Sequence, residues 1–155
     1  VTAPTGLETL ASSGWEAALI IGMCEHLADV TGWVYSDSVA GTVQLAPVSV
    51  PDQPDRVCVV NTYGDAWQDA TSAIGGVMMQ LRFRSRRDMP LDVKALAAMA
   101  FDQLHGATEL TLGGVRVLGA YRDSFAELGR DSTRRWERTD NYQLTVALPA
   151  TSNRQ

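Results

Sequence analysis

The chain has 155 residues, 45% hydrophobic and 20% charged, which suffices for one domain with a substantial core and is too little for two large ones. Its net charge of −5 argues against general nucleic-acid binding, and its two cysteines, Cys24 and Cys58, sit in apolar surroundings and read as buried reduced thiols, pointing to synthesis in a reducing cytoplasm. Neither a basic-then-apolar leader nor an apolar run able to cross a bilayer is read along it, so a secreted or membrane-spanning protein is not expected.

The opening, 1–13, is rich in Thr, Ser, Ala and Gly with Pro4, and predicts a flexible arm. Ser12 or Ser13 is placed to cap a first helix, with Glu16 near its positive end. Leu19, Ile20, Met23, Leu27 and Val30 recur at spacings of three and four from Trp15 to Val30, the stripe of an amphipathic helix, and Gly32 stands where it should stop. Trp33, Val34 and Tyr35 begin an extended piece. Pro47, Pro51 and Pro54 then rule out a continuous inner strand over 41–54, which predicts a long irregular connection with short extended pieces.

Arg56–Thr62 is a short apolar run suited to a covered strand, followed by an expected loop from Gly64 through Asp65 and Asp69 to Gly75 and Gly76. Val77–Arg86 alternates: Met79, Leu81, Phe83 and Ser85 on one face, Met78, Gln80, Arg82, Arg84 and Arg86 on the other. A period of two is a strand with one buried face and one increasingly cationic face. Pro90 opens a second helix beside Asp88 and Asp92, with Val93, Leu96, Ala97, Ala100, Phe101 and Leu104 as its stripe and Gly106 as its end. ELTL, Gly113–Gly114 and VRVL propose a hairpin. The last strand runs from about Arg134 to Leu148, where Trp136, Tyr142, Leu144, Val146 and Leu148 share one parity; Arg138 and Asp140 interrupt it, so its first half is expected to leave the body or bend at a bulge. The order predicts an α+β fold in which a mixed, mainly antiparallel sheet carries two amphipathic helices on one face. A single domain over 14–148 would lie between the arm and a flexible tail, 149–155.

Catalytic residue types form no cluster. His26 and His105 sit on or at the end of helices, and no ligand series has zinc spacing, so neither a metal nor a cofactor is expected. Asp52 with Asp55, and Asp65 with Asp69, read as solvated loop acids. The glycine pairs lack the context of a phosphate loop, and Ser124 and Ser132 have no nearby histidine; an enzyme is not expected.

Charge, by contrast, is unevenly spread. Residues 1–75 hold one basic and nine acidic residues, net −8, whereas 76–155 hold twelve basic and nine acidic, net +3. Such separation suits a unit that meets copies of itself head to side. The segment 128–146 concentrates Arg130, Asp131, Arg134, Arg135, Trp136, Arg138 and Asp140, and the run Arg82, Arg84, Arg86 and Arg87 makes a second cationic group. Arg and Trp anchor protein interfaces because a planar donor array and a large aromatic surface both gain when water is excluded. These eleven residues are the candidate interface or lumen contacts.

PDQPDRVCVVNTYG at 51–64, QLRFRSRRD at 80–88, LHG at 104–106, GGV at 113–115 and LGRDSTRRWERTDNYQLTV at 128–146, in that order, resemble the minor capsid or tail-terminator family of long-tailed bacteriophages over roughly 10–148. The resemblance implies a structural neck protein. It would form a hexameric ring on the end of the tail tube, stop tube polymerisation and present the surface that the head connector joins. Partners would be copies of itself, the tail tube protein and the connector or stopper protein, with weak, salt-dependent contact to passing viral DNA and none with a membrane. Its place would be the virion at the tail–neck junction, after synthesis in the host cytoplasm. The strand with Arg82 and Arg84 and the segment Arg130–Asp140 match the family's sheet positions and carry over as subunit or lumen contacts. Arg134, Arg135 and Trp136 stand where smaller or glycine-containing versions are commoner. A head–tail adaptor or stopper is the alternative role.

Overall fold

A computed structural model describes residues 3–35 and 41–154, so the first two residues of the expected arm and the last of the expected tail lie outside the described residues. In chain order the elements are α1 (Gly6–Ser13), α2 (Trp15–Thr31), β1 (Gln44–Pro47), β2 (Val57–Gln68), β3 (Ile74–Arg87), α3 (Pro90–Leu104), β4 (Thr108–Leu112), β5 (Val115–Arg130) and β6 (Arg135–Ala147). One sheet takes the order β1-β2-β3-β6-β5-β4, antiparallel except for the parallel β1–β2 pair.

The α+β class and the mainly antiparallel sheet are as expected, but the described residues hold three helices, not two. The additional helix, α1, lies within the stretch expected to be a flexible arm. Thr5 and Glu8 form a capping box: the Glu8 N–H donates to Thr5 Oγ1 at 3.2 Å and the Thr5 N–H to Glu8 Oε2 at 3.1 Å. These bonds satisfy two groups that a bare helix start leaves open. The Gly6 N–H donates to Glu25 Oε1 of α2 at 2.6 Å, tying the short helix to the long one. Ser12 and Ser13 do not cap α2 as expected. They lie inside α1, and Gly14, at φ 90°, takes the N-cap position instead.

α2 and α3 pack on one face of the sheet. Leu19, Ile20, Met23 and Leu27 of α2 and Val93, Leu96, Ala97, Ala100 and Leu104 of α3 are buried against Met79, Leu81 and Phe83 of β3 and Tyr142, Leu144 and Val146 of β6. Each large apolar side chain so covered contributes about 1.5–3 kcal/mol. Gly32 ends α2 in the left-handed region, its N–H donating to the Ala28 carbonyl at 3.1 Å. Cys24 and Cys58 are free and buried; burial first, then the Glu25 charge, pushes the Cys24 thiol up to about 12.

Two strands outrun their sequence signals. β2 continues through the expected loop to Gln68, with a tight turn in which Asp69 Oδ1 accepts from the Thr71 N–H and hydroxyl, both at 2.8 Å. β5 continues far past VRVL to Arg130. Neither strand alternates cleanly, because both carry register shifts: after Thr62 and Asp65 in β2, and after Val117, Arg122 and Glu127 in β5. β6, by contrast, neither leaves the body nor bends at a bulge of its own. It stays paired on both sides, and Arg138 and Asp140 remain on the helix-bearing face, opposite Phe83 and Leu81.

Gly113 and Gly114, at φ 59° and 82°, make the turn between β4 and β5. The backbones of α1 and α2 lie directly on that turn: a Cβ on Gly22 would sit 2.1 Å from Gly113 N, and one on Gly6 2.4 Å from Gly113 Cα. Gly22→Ala forces these segments apart and is expected to lower unfolding stability by about 2 kcal/mol or more, read from urea denaturation.

Candidate functional site

Arg82 and Arg84 of β3 point to the sheet face opposite the helices. Cross-strand register places Arg82 beside Val59 and Thr139, and Arg84 beside Val57 and Glu137. The polar residues of this outer face are joined into chains. Gln80 Nε2 donates to Asn141 Oδ1 at 3.1 Å, Asn141 Nδ2 to Ser124 Oγ at 2.9 Å, and the Tyr121 hydroxyl to Gln143 Oε1 at 2.6 Å. Arg82 Nη2 reaches Glu137 Oε1 at 3.0 Å, so its charge is matched within the face. Burial, and then the Asp123 carboxylate, push the Tyr63 hydroxyl up.

Arg84 has a different role from the one its alternation suggests. Only 3% of it is exposed. Its Nε donates to the Asp55 carbonyl at 2.9 Å and its Nη2 to the carbonyls of Pro54 at 2.7 Å and Asp52 at 3.2 Å. Arg135, also buried, joins the same loop: Nη1 donates to the Asp52 carbonyl at 2.8 Å and approaches Asp55 Oδ1 at 3.4 Å, while Nε donates to Asp131 Oδ2 at 2.8 Å. Burial first, then the Arg135 charge, draws the Arg84 guanidinium down, against Asp131, Glu137 and Asp55.

Asp131 is the anchor of the β5–β6 turn. Its Oδ1 accepts from the N–H of Arg135 at 2.9 Å and from the N–H and hydroxyl of Thr133 at 2.9 and 3.0 Å. Burial opposes ionisation, but these bonds and the Arg135 guanidinium hold the carboxyl well below its usual range. At the same end of the sheet Asp92 of α3 is buried between Arg56 and Arg86, both at 3.1 Å. The exposed cations here are Arg86, Arg87 and Arg134, the last two facing Asp55 at 3.9 Å and Asp88 at 3.5 Å; Arg130 lies 5.8 Å from the half-buried Trp136 ring.

Arg138 and Asp140 are brought together on the helix side. Arg138 Nε donates to Asp140 Oδ1 at 2.7 Å, and Arg122 Nη1 to Asp140 Oδ2 at 3.3 Å. Arg122 and Arg138 also flank the Phe125 ring at 5.0 and 4.0 Å, and Arg122 stacks over Phe101 at 4.3 Å. Sequence reasoning passed over Arg122 and Phe125, since they lie in the part of β5 it did not assign to a strand. The eleven candidates thus divide. Arg84, Arg135, Arg138 and Asp140 are buried with partners in their own chain, whereas Arg86, Arg87, Arg130 and Arg134 present charge at one end of the sheet.

His105 borders this cluster, its Nδ1 accepting from the Arg122 N–H at 3.0 Å and its ring stacking on Phe101, whereas His26 lies on α2, its pKa lowered by burial against the raising effect of Asp29. Among the described residues, no group of three or more His, Cys, Asp or Glu is placed to hold a metal, and no helix is long and apolar enough to cross a membrane.

A family model described as bacteriophage tail terminator protein matches residues 43–148. A comparison with curated proteins finds no match. Among solved structures, a chain from one described as the virion of a native gene transfer agent (GTA) particle aligns with a TM-score of 0.50 and 20% identity over 77% of this chain and 83% of that chain, a likeness in fold.

Two outcomes test the division of the arginines. Arg84→Met leaves the Pro54 and Asp55 carbonyls without their donor, while the Asp52 carbonyl keeps Arg135, and is expected to lower stability by about 3 kcal/mol, against about 0.5 kcal/mol or less for Arg87→Ala, both read from urea denaturation. A carboxylate held below its unfolded value, as Asp131 is, stabilises the fold fully above about pH 5 and loses that contribution as pH falls toward the folded value. Stability measured from pH 6 down to 2 should therefore fall less steeply in Asp131→Asn than in the unchanged chain.

Proposed function

Since the chain belongs to the bacteriophage tail terminator protein family, and so is a structural, virion-associated component of tail and neck assembly, we propose that it closes into a ring on the end of the tail tube, stops tube polymerisation and seats the head connector. Six copies is the ring order the family resemblance implies. A closed ring satisfies its lateral contacts internally and offers the tube end a surface that further tube subunits cannot extend.

The observation that carries this reading is the outer face of the sheet. It is polar and hydrogen-bonded from strand to strand, and the cations that register places on it with exposed charge, Arg82 and Arg116, are matched by Glu137 and Glu109. Turned toward the ring axis, such a face holds water and gives passing DNA little to grip. Arg84, buried beneath the 52–55 loop, is withdrawn from any lumen. Contact with DNA is therefore weaker than an arginine-lined strand would give, and falls further with salt.

The charged end of the sheet, with Arg86, Arg87, Arg130 and Arg134, is the axial contact in this reading, directed at the tube or the connector. Arg86, Arg87 and Arg134 are exposed and each faces a carboxylate, of Asp92, Asp55 and Asp88, while Arg130 lies by the Trp136 ring, a pattern suited to steering a partner into register. Electron microscopy of isolated tails mixed with the protein should show one cap at the head-proximal end of each tube. Arg87→Glu combined with Arg134→Glu should leave the unfolding midpoint within about 3 °C of the unchanged chain and reduce capping ~10-fold or more. Absence of the unchanged protein from tail ends would reject termination, and binding to heads instead would assign it to the adaptor or stopper role.

A further inference from the structure

Two stretches of strand have no strand on their outer side among the described residues. β1 covers β2 only as far as the Pro47↔Val60 pair, leaving Asn61–Trp67 as an edge. β4 covers β5 only to the Thr108↔Gly119 pair; Ala120 then bonds Gly106 and Ala107, the Arg122 N–H bonds His105, and Asp123–Arg130 is left as a second edge. An uncovered edge is a row of backbone donors and acceptors ready to pair with another chain, and proteins that stay monomeric cover or charge such edges. These two carry charge, Asp65 on one and Asp123, Glu127 and Arg130 on the other, but beside it they expose large apolar side chains. Tyr63 and Trp67 on one, and Phe125 and Leu128 on the other, are between 42% and 52% exposed.

We infer that these edges pair with each other between copies, the outer half of β5 in one subunit joining the outer half of β2 in the next, so that the sheet continues from subunit to subunit. The inference rests on the ring reading above and names its junction. Strand direction supports it. β2, β3, β6 and β5 alternate in direction, so a neighbour related by rotation about an axis along the strands brings its β2 antiparallel to β5. The two edges are also different surfaces, as a head-to-tail ring requires.

Register sets the geometry of closure. The pairs Asn61↔Gln80, Gln80↔Asn141 and Asn141↔Ser124 put Asn61 and Ser124 at one level, from which the open part of β2 runs toward one end of the sheet and that of β5 toward the other. Their midpoints are offset by about five residues, about 17 Å along the strands, across four strands spanning about 19 Å. A junction of this stagger closes into a level ring when the strands tilt about 40° from its axis, inside the range that closed sheets adopt. The register shifts in both open halves bend the strands, which closure of a sheet also needs.

The test uses the full chain with each edge blocked separately: Ala126→Lys with Leu128→Lys on β5, and Tyr63→Lys with Trp67→Lys on β2. All four side chains are exposed, so both variants should keep the unfolding midpoint of the unchanged chain, which is measured first. Mass is read by light scattering, and capping by microscopy with isolated tails. Each variant alone is expected to lose assembly and capping ~10-fold or more, since lysines flanking an edge oppose pairing. Mixed together, the two retain one intact β5 and one intact β2 edge and should stop at a dimer. If the unchanged chain assembles or caps tails and both variants do so equally well, the junction is wrong and the ring reading stands. If only one variant is impaired, the contact is not head-to-tail through these edges, and the inference falls. If the unchanged chain neither assembles nor caps, both readings fall together.

Discussion

The buried guanidinium of Arg84 is the contact on which one whole side of the molecule depends. The connection from β1 to β2 is rich in proline and cannot satisfy its carbonyls in a ladder, yet it folds over the sheet at Val57. Arg84 and Arg135 supply the missing donors to Asp52, Pro54 and Asp55 from two different strands. With the loop pinned, β1 lies parallel to β2 without the helical crossover that parallel strands ordinarily use, and it ends where Pro47 meets Val60. That endpoint leaves the remainder of β2 uncovered. A contact that looks local therefore holds the connection between the covering strand and the strand whose edge it leaves open.

The sequence makes some of this legible and hides the rest for physical reasons. α2 and α3 are readable because their apolar stripes, a terminating Gly32 and an opening Pro90 agree with each other. β3 and β6 are readable because each is covered on one face and paired on both sides, which imposes strict alternation. α1 is hidden by its Ser- and Thr-rich composition, though the capping box of Thr5 and Glu8 was a usable signal. The outer halves of β2 and β5 escape detection because each lacks one neighbour and carries bulges, so Tyr121, Phe125 and Leu128 follow no period of two. Alternation correctly sends Arg84 to the outer face, but nothing in a period of two foretells that residues thirty positions upstream fold over it.

Arg138 and Asp140 show the same lesson from the other side. Charged residues at core-parity positions suggested a strand leaving the body, since an isolated buried charge is prohibitive. The strand stays because the charges do not stand alone. Asp140 accepts from Arg138 and Arg122, and the two guanidinium planes lie against Phe125 and Phe101. Most of this partnership comes from residues of β5 and α3, so it becomes visible only once the sheet order is known.

The uneven distribution of charge along the chain also changes meaning in three dimensions. Asp52 and Asp55 belong to the acidic half, Arg87 and Arg135 to the basic half, and they meet inside one subunit; so do Arg56 and Asp92, with the signs reversed. Part of the asymmetry is thus consumed in folding, holding the two halves of the chain together at one end of the sheet. What is left for neighbours is smaller than net charges of −8 and +3 suggest. Exposed pairs in water are worth little in any case, about 0–1 kcal/mol each. Charge can bring subunits together quickly and in the right orientation, but the free energy that holds a ring has to come from apolar area and backbone pairing. On this surface the open halves of β2 and β5 combine the two.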